Sequence, residues 1–362
     1  MNKKNAISAQ KKLSIKSGGG RKKLFSHKRN IFITFFSLFL LLIFKPVSSF
    51  KNNGDKNDEI RGVWMTNAGV SFLHHTSLLD NVFNHLALSG YNRIYVSTYG
   101  FGGTIYPSKQ VKSILFFVPP FTNVLKASEK EAKRQDLKLY AWLEYGLMLS
   151  PQDEIALKHP EYLVKTDSGK TIINGFVWLN PEHPEVQKYI LAIISEVAQY
   201  NITGIQLDDH WSTPSEFGNK TQAMTKLTAK VRQHLKEINP KMILSLSPNP
   251  YNFSLNKYNQ DWLKWAKKGY IDEVVIQIYR PNSAQVKQAI TTSKINYLPD
   301  NIPVGIGIFA GNFDNFLHPE EIQKQIAVAE KFGYGYSIFC WEYQILGSLT
   351  HYLIKSKSNN LK

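Results

Sequence analysis

The feature that most limits the fold of this chain is an eightfold alternation of short apolar runs with longer amphipathic ones. The short runs are rich in β-branched and aromatic residues, which is typical of buried parallel strands. We predict strands at residues 61–66, 93–98, 137–144, 202–208, 242–247, 273–279, 303–309 and 336–341. We predict helices near residues 78–89, 121–135, 185–200, 222–237, 260–268, 284–292 and 319–332, and one more after residue 342.

Strict alternation of strands and helices predicts a parallel sheet of the α/β class. Eight units over about 300 residues fit a single-domain (β/α)8 TIM barrel. The alternative is a doubly wound open sheet. No G-x-G-x-x-G follows the first strand, so nothing supports a dinucleotide site, and we predict no cofactor and no metal. The connection after the third strand, residues 145–184, is long enough to suggest a functional loop.

The N-terminal region predicts export. Residues 1–30 carry ten basic residues and no acidic one, out of a net charge of +16 for the whole chain. The basicity therefore belongs mainly to this tail, and we predict no nucleic-acid partner for the folded part. The apolar run 31–44 and Val47-Ser48-Ser49 after it predict a signal peptide or signal anchor over residues 31–50.

The remaining boundaries follow from composition. Residues 51–58 form a polar linker, residues 59–356 the barrel, and residues 357–362 a polar tail. We expect an exported protein, extracytoplasmic or held at the membrane by residues 31–44, that contacts the membrane only through this N-terminal segment. The one cysteine, Cys340, cannot form an internal disulfide or complete a cysteine-based zinc site.

Polar residues that end the strands are the candidates for the site, because active sites of such barrels lie at the C-terminal ends of the strands. The fourth predicted strand ends in Gln206, Asp208, Asp209 and His210. Side chains alternate along a strand, so Gln206 and Asp208 should share the face that points into the barrel mouth. The alternative for Asp209 is capping of the next helix.

Other strand ends add carboxyl, amide and aromatic groups to the same mouth. Any one of these residues could instead be a structural polar group or part of the core. Together they form a polar, aromatic-lined mouth with several carboxyl groups, which suits glycoside hydrolysis by two carboxylates. The additional candidates are Trp142, Glu144, Asn180, Gln277, Tyr279, Trp341 and Glu342.

Six motifs resemble the bacterial glycosyl-hydrolase-like family 10, from about residue 59 to residue 349. They are RGVWMTN at Arg61, AWLEYG at Ala141, WLNPEHPEV at Trp178, GIQLDDH at Gly204, SLSPNPY at Ser245 and QIYR at Gln277. The resemblance implies an exported (β/α)8 barrel that acts in glycoside hydrolysis, with a peptidoglycan-type glycan as the favoured substrate. It also implies a site formed by Glu144, Asn180, Asp208, Asp209, His210, Gln277 and Glu342.

We therefore expect a glycoside hydrolase that acts on a polysaccharide or glycan strand. Asp208 would be the nucleophile or the base that activates water. Its general acid would be Glu342, which should lie across the barrel, and failing that Asp209 or Glu144. The predicted substrate-binding residues are Trp142, Asn180, Gln206, His210, Gln277, Tyr279 and Trp341.

Two other functions fit the same residues. The first is a glycan-binding barrel without turnover. The second is a metal-dependent hydrolase, such as a deacetylase, that uses Asp208, Asp209 and His210; against it, neighbouring residues rarely converge on one ion. Transglycosylation in place of hydrolysis also remains open.

Overall fold

Eight parallel strands close into a barrel in the computed structural model, which describes residues 59–359 except residue 313. Each strand pairs with the next, and the eighth pairs with the first, so the sheet has no open ends. The TIM-barrel prediction is confirmed and the open-sheet alternative is wrong. The strands are β1 (Arg61–Met65), β2 (Arg93–Gly100), β3 (Lys138–Leu143), β4 (Gly204–Leu207), β5 (Ile243–Leu246), β6 (Glu273–Gln277), β7 (Val304–Phe309) and β8 (Gly335–Phe339).

The helices pack around this barrel and connect successive strands. They are α1 (Asn67–His75), α2 (Leu79–Leu88), α3 (Val124–Arg134), α4 (Glu154–Lys158), α5 (Pro184–Val197), α6 (Thr221–Ile238), α7 (Tyr251–Tyr258), α8 (Trp262–Lys267), α9 (Ser283–Thr292), α10 (Pro319–Lys331) and α11 (Trp341–Asn359). The predicted helices all occur, and α11 runs past the predicted domain end at residue 356. The sequence prediction missed α1, α4 and α7, which lie in loops at the C-terminal ends of strands.

A chain of buried hydrogen bonds fills the barrel below its mouth. The indole Nε1 of Trp64 donates to Gln206 Oε1 at 2.7 Å, and Gln206 Nε2 donates to Ser245 Oγ at 3.1 Å. Ser245 in turn donates to Glu273 at 3.0 Å, and Glu273 forms a buried ion pair with Arg93. Buried polar groups need such partners, so this network fixes the register of opposite strands and supports the mouth from below.

Some predictions concern parts of the chain that the structure does not describe. The basic region 1–30, the signal or anchor segment 31–50 and the linker 51–58 all lie outside the described residues, so export stays a prediction. Within the described part, no helix is both long and apolar enough to cross a membrane.

Candidate active site

The most buried carboxyl group at the mouth belongs to Asp208, which directly follows β4 and is 3% exposed. Gln277, at the end of β6, donates from Nε2 to Asp208 Oδ1 at 2.9 Å. The same nitrogen donates to the main-chain oxygen of Ser247 at 3.1 Å. A carbonyl oxygen can only accept, so the amide of Gln277 is oriented with its N–H groups towards Asp208. This donor favours the ionised form of the carboxyl group.

His210 lies between two carboxylates. Its Nδ1 is 2.9 Å from the main-chain oxygen of Glu144 and 3.3 Å from Asp208 Oδ2. Because the carbonyl only accepts, Nδ1 must carry a proton. The opposite ring nitrogen, Nε2, faces Asp209 Oδ1 at 3.7 Å. Burial lowers the pKa of His210, but Asp209 and Asp208 outweigh burial and raise it, so the ring is held as a cation.

Asp209 is the more accessible member of the pair, with a side chain that is 25% exposed. Asn249, which follows β5, donates to its Oδ2 at 2.7 Å. The alternative role for Asp209 as a helix cap is wrong, because Lys220 occupies the N-cap position of α6. Gln260 is buried beneath this turn and donates to the main-chain oxygens of Asp208 and Asp209, both at 3.4 Å.

Burial and charge shift the pKa values of the carboxyl groups around this histidine. Burial is the largest cause that raises the pKa of Asp208, followed by the charge of Asp209, while His210 lowers it. Glu144 also raises the pKa of Asp208 through its charge, so these two groups interact across adjacent strands. Burial raises the pKa of Glu144 itself, although Ser97 Oγ donates to its Oε2 at 2.8 Å. The site therefore couples several acidic groups to one imidazolium.

Glu342 takes a different position, at the start of α11. Its Oε1 accepts from the main-chain nitrogen of Thr66 at 2.9 Å and from Thr66 Oγ1 at 2.8 Å. A Cβ atom added at Gly69 would collide with this carboxyl group. Burial raises the pKa of Glu342. The carboxyl group thus joins the start of α11 to the end of β1 and the start of α1.

Two predicted substrate-binding residues have hydrogen-bond partners inside the protein, and a third is buried. Gln206 is 0% exposed and both of its amide atoms are used by Trp64 and Ser245, as described above. Asn180 Oδ1 accepts from the main-chain nitrogen of Glu182 at 3.1 Å and shapes the turn before α5. Trp341 is 7% exposed at the start of α11. These contacts position neighbouring elements.

An aromatic cluster lines the β6–β8 side of the mouth. Tyr279 lies 5.5 Å from Phe309 and 5.4 Å from Phe339 between ring centroids, and all three residues are half-buried. Trp142 packs edge-on against Phe339 at 6.1 Å. Burial and the charges of Asp208 and Asp209 raise the pKa of Tyr279 well above its usual value, so its phenol lies near the carboxylates. Phe309 and Phe339 were not predicted as site residues, although each ends its strand.

The metal-site alternative can be tested against this geometry. Ligand atoms of Asp208, Asp209 and His210 lie within 4.8 Å of one another, a separation that one ion could span. Asp208, however, faces Nδ1 of the imidazole while Asp209 faces Nε2, so the carboxylates lie at opposite edges of the ring. Asp208 also accepts from Gln277. The arrangement fits an ion-paired imidazolium, in which each ring nitrogen faces one carboxylate.

Comparison with known sequences decides the family. The sequence model of glycosyl hydrolase-like 10 matches residues 59–226 and 219–327, which include every motif noted above. The chain belongs to glycosyl hydrolase-like family 10. The resemblance noted from those motifs is confirmed. A search of curated proteins returns no match.

Solved structures share the barrel of this glycosyl hydrolase-like 10 chain. The glycoside hydrolase domain of PgaB (BpsB) from Bordetella bronchiseptica has a TM-score of 0.61 at 14% identity, over 79% of this chain and 95% of that one. The α-galactosidase AgaB from Geobacillus stearothermophilus has 0.54 at 14% identity, over 84% of this chain and 42% of that enzyme. The α-galactosidase TtGalA from Thermus thermophilus has 0.51 at 13% identity, over 77% and 57% of the two chains. The likeness at these identities concerns the fold. The molecule is thus a glycoside-hydrolase-like TIM barrel.

Proposed function

We propose that the protein hydrolyses O-glycosidic bonds of a cell-envelope glycan, with peptidoglycan-type strands as the favoured substrate. The observation that carries this proposal is the buried Asp208 at the end of β4, held by Gln277 and coupled to Asp209, His210 and Glu144. Membership of glycosyl hydrolase-like family 10 supports it. An extracytoplasmic location is part of the proposal and rests on the apolar run 31–44 with its basic flank.

Asp208 is the proposed base or nucleophile. Gln277 donates to one of its oxygens and the N–H of His210 faces the other, which stabilises the negative charge. Burial raises its pKa at the same time. A base works best when its pKa lies near the operating pH. Burial and the two N–H contacts shift the pKa of Asp208 in opposite directions, and this balance suits proton transfer.

Glu144 is the proposed general acid. Burial raises its pKa, so it keeps a proton to higher pH than an ordinary glutamic acid does. It lies in electrostatic contact with Asp208 and Asp209. Glu342 shares the raised pKa, but its carboxyl group is bonded to Thr66 and supports α1. Asp209 faces Nε2 of His210 and accepts a hydrogen bond from Asn249, so its carboxyl group is already engaged by two neighbours.

The aromatic cluster of Tyr279, Phe309, Phe339 and Trp142 is the proposed sugar platform. Apolar faces of pyranose rings pack on aromatic rings, and the hydroxyl groups bond to carboxylates and amides. Tyr279 links the aromatic cluster to the carboxyl groups of Asp208 and Asp209, because both of their charges raise the pKa of its phenol. A sugar placed on this platform would present its glycosidic oxygen towards the acidic groups.

The test of this function is product analysis on a substrate panel. The purified full chain is incubated with peptidoglycan glycan strands and with α- and β-glucans, and products are identified by mass spectrometry. Shortened glycan strands from the peptidoglycan sample would support the proposal. Binding to these strands without any product after long incubation would show a glycan-binding barrel instead.

Gln277→Leu should shift the pH dependence of the reaction. It removes the N–H that stabilises the charged form of Asp208, so the pKa of Asp208 rises further. The acidic limb of kcat/KM should move to higher pH, with a loss of about tenfold to a hundredfold near neutrality, the scale of a hydrogen bond to a charged group. The buried Gln344, which bonds to Tyr91, provides the matched control. An unmoved limb in Gln277→Leu, or an equal shift in Gln344→Leu, would contradict this role.

A further inference from the structure

The loop after β2 carries a set of exposed apolar side chains that the proposed reaction does not use. This loop patch consists of Phe101, Ile114, Leu115, Phe116 and Phe121, with exposed fractions of 72%, 51%, 70%, 43% and 108%. The loop follows the C-terminal end of a barrel strand, so the patch lies at the same end of the molecule as Asp208. Several large exposed apolar side chains on one loop are typical of an interaction site.

A buried side chain and main-chain hydrogen bonds form a frame that fixes the conformation of this loop, and the side chains of the patch point outward from it. Phe117 is buried, and its ring packs against Gly102, where an added Cβ would come within 2.8 Å. The main-chain nitrogen of Ile114 donates to the oxygen of Gly102 at 3.0 Å, and that of Thr104 donates to Ser113 Oγ at 2.9 Å. The frame is therefore anchored by Phe117 and main-chain bonds, and by Phe116, whose ring lies 5.3 Å from that of His75, while Phe101, Leu115 and Phe121 are the most exposed members of the patch.

The backbone conformation of Phe121 is unfavourable for a bulky residue, and burial of its side chain does not offset this strain. It has a φ of 65°, in the left-handed region, and its ring is fully exposed. It is the third residue of a turn closed by the main-chain nitrogen of Thr122 and the oxygen of Pro119 at 3.2 Å. Glycine or asparagine is usual at such a position. A bulky ring held outward there points to a partner outside the chain.

The composition of the loop indicates the kind of partner. Residues 101–122 contain two exposed basic residues, Lys109 and Lys112, and no acidic residue, while Glu196 of α5 accepts from the main-chain nitrogen of Lys109 at 2.7 Å. Phenylalanine, leucine and isoleucine offer no donors or acceptors for sugar hydroxyl groups. Exposed apolar side chains flanked by lysines match the interfacial zone of an anionic bilayer. We propose that the loop patch inserts into the surface of an anionic lipid membrane.

This contact is separate from the N-terminal segment, through which alone the sequence predicted membrane contact. Insertion of the loop patch would turn the barrel mouth, and with it Asp208, towards the membrane surface. The substrate would then be glycan that lies close to the membrane. The inference does not depend on the chemistry at Asp208, so it can fail or hold independently of the proposed hydrolysis.

Depth-dependent quenching tests the insertion in the full chain. Leu115→Cys is labelled with an environment-sensitive fluorophore, since the native Cys340 is buried. The protein is bound to vesicles of phosphatidylglycerol and phosphatidylethanolamine with brominated acyl chains. Leu157→Cys is the matched control, because Leu157 is 66% exposed in α4, in a loop at the same end of the barrel. We expect quenching at residue 115 at least about threefold stronger than at residue 157, as for a side chain below the headgroups.

Two variants separate insertion from a structural role. Phe121→Gly relieves the positive φ, so it should keep the melting temperature while reducing quenching at residue 115. Lys109→Gln with Lys112→Gln should reduce it on anionic vesicles. Equal quenching at residues 115 and 157 would overturn the proposal. So would self-association in sedimentation that Leu115→Asp abolishes, because a second copy would then cover the patch.

Discussion

Asp208→Asn should lower turnover on a cleaved glycan by on the order of 10²–10⁴-fold, the usual scale for removing a positioned proton-transfer group. The substitution keeps the shape of the side chain, and asparagine still offers an oxygen to the Nε2 donor of Gln277. Substrate contacts should remain, so the loss should appear in kcat with little change in KM. Steady-state kinetics of the purified variant measures both constants.

The pH profile gives a second readout for Asp208. Burial and the charge of Asp209 raise its pKa, so the base loses its charge as the pH falls through that raised value. The acidic limb of the native enzyme should therefore lie above the ordinary aspartate range near pH 4, and the residual activity of Asp208→Asn should lack it. Asp209→Asn should cost less, because Asp209 mainly supports the charge of His210. Turnover of Asp208→Asn within about threefold of native would refute its role, since removing a base costs far more.

Glu144→Gln should be the second most damaging change, with a loss of about 10²–10³-fold on natural glycan, because the leaving oxygen then receives no proton. Aryl glycosides with a nitrophenolate leaving group need no such proton, so their cleavage should fall much less. Burial raises the pKa of Glu144, and a general acid must be protonated, so activity should decline as the pH rises through this value. Kinetics on both substrate types, over a range of pH, checks the prediction.

Glu342→Gln is the matched comparison for the acid. The sequence favoured Glu342 as the general acid because of its position along the chain. In the structure its carboxyl group accepts two hydrogen bonds from Thr66. We expect Glu342→Gln to lower the melting temperature and to affect natural and aryl substrates alike. A leaving-group dependence in Glu342→Gln that is missing from Glu144→Gln would transfer the acid role to Glu342.

The barrel could be predicted because its signal is repeated along the chain. Parallel strands such as β4 and β6 are buried on both faces, and their β-branched residues distinguish them from the helices between them. The helices α1 and α7 lie in connecting loops and carry weaker periodic signals. Thr66 caps the N-terminus of α1, because its Oγ1 accepts the main-chain N–H of Gly69 at 3.0 Å. The run of small residues at 66–69 makes this cap hard to recognise in the sequence.

The sequence predicted which side chains of β4 point into the barrel, but it did not predict how deep in the barrel each one lies. Strand alternation placed Gln206 and Asp208 on the inner face of β4, and both point inward. Gln206 lies two residues deeper, roughly 7 Å along the strand, where it joins the core network with Trp64 and Ser245. The contacts of His210 with the main-chain oxygen of Glu144 depend on loop geometry, which spacing along the chain does not encode.

The most direct test of the account is the source of oxygen at new reducing ends. Peptidoglycan glycan strands are incubated with the full chain in water enriched in ¹⁸O, and products are weighed by mass spectrometry. Hydrolysis predicts shortened strands that each carry one ¹⁸O atom at the new reducing end, formed by the native chain and nearly absent with Asp208→Asn. Strands that stay intact with the native chain, or that are cut equally well by Asp208→Asn, would contradict the account.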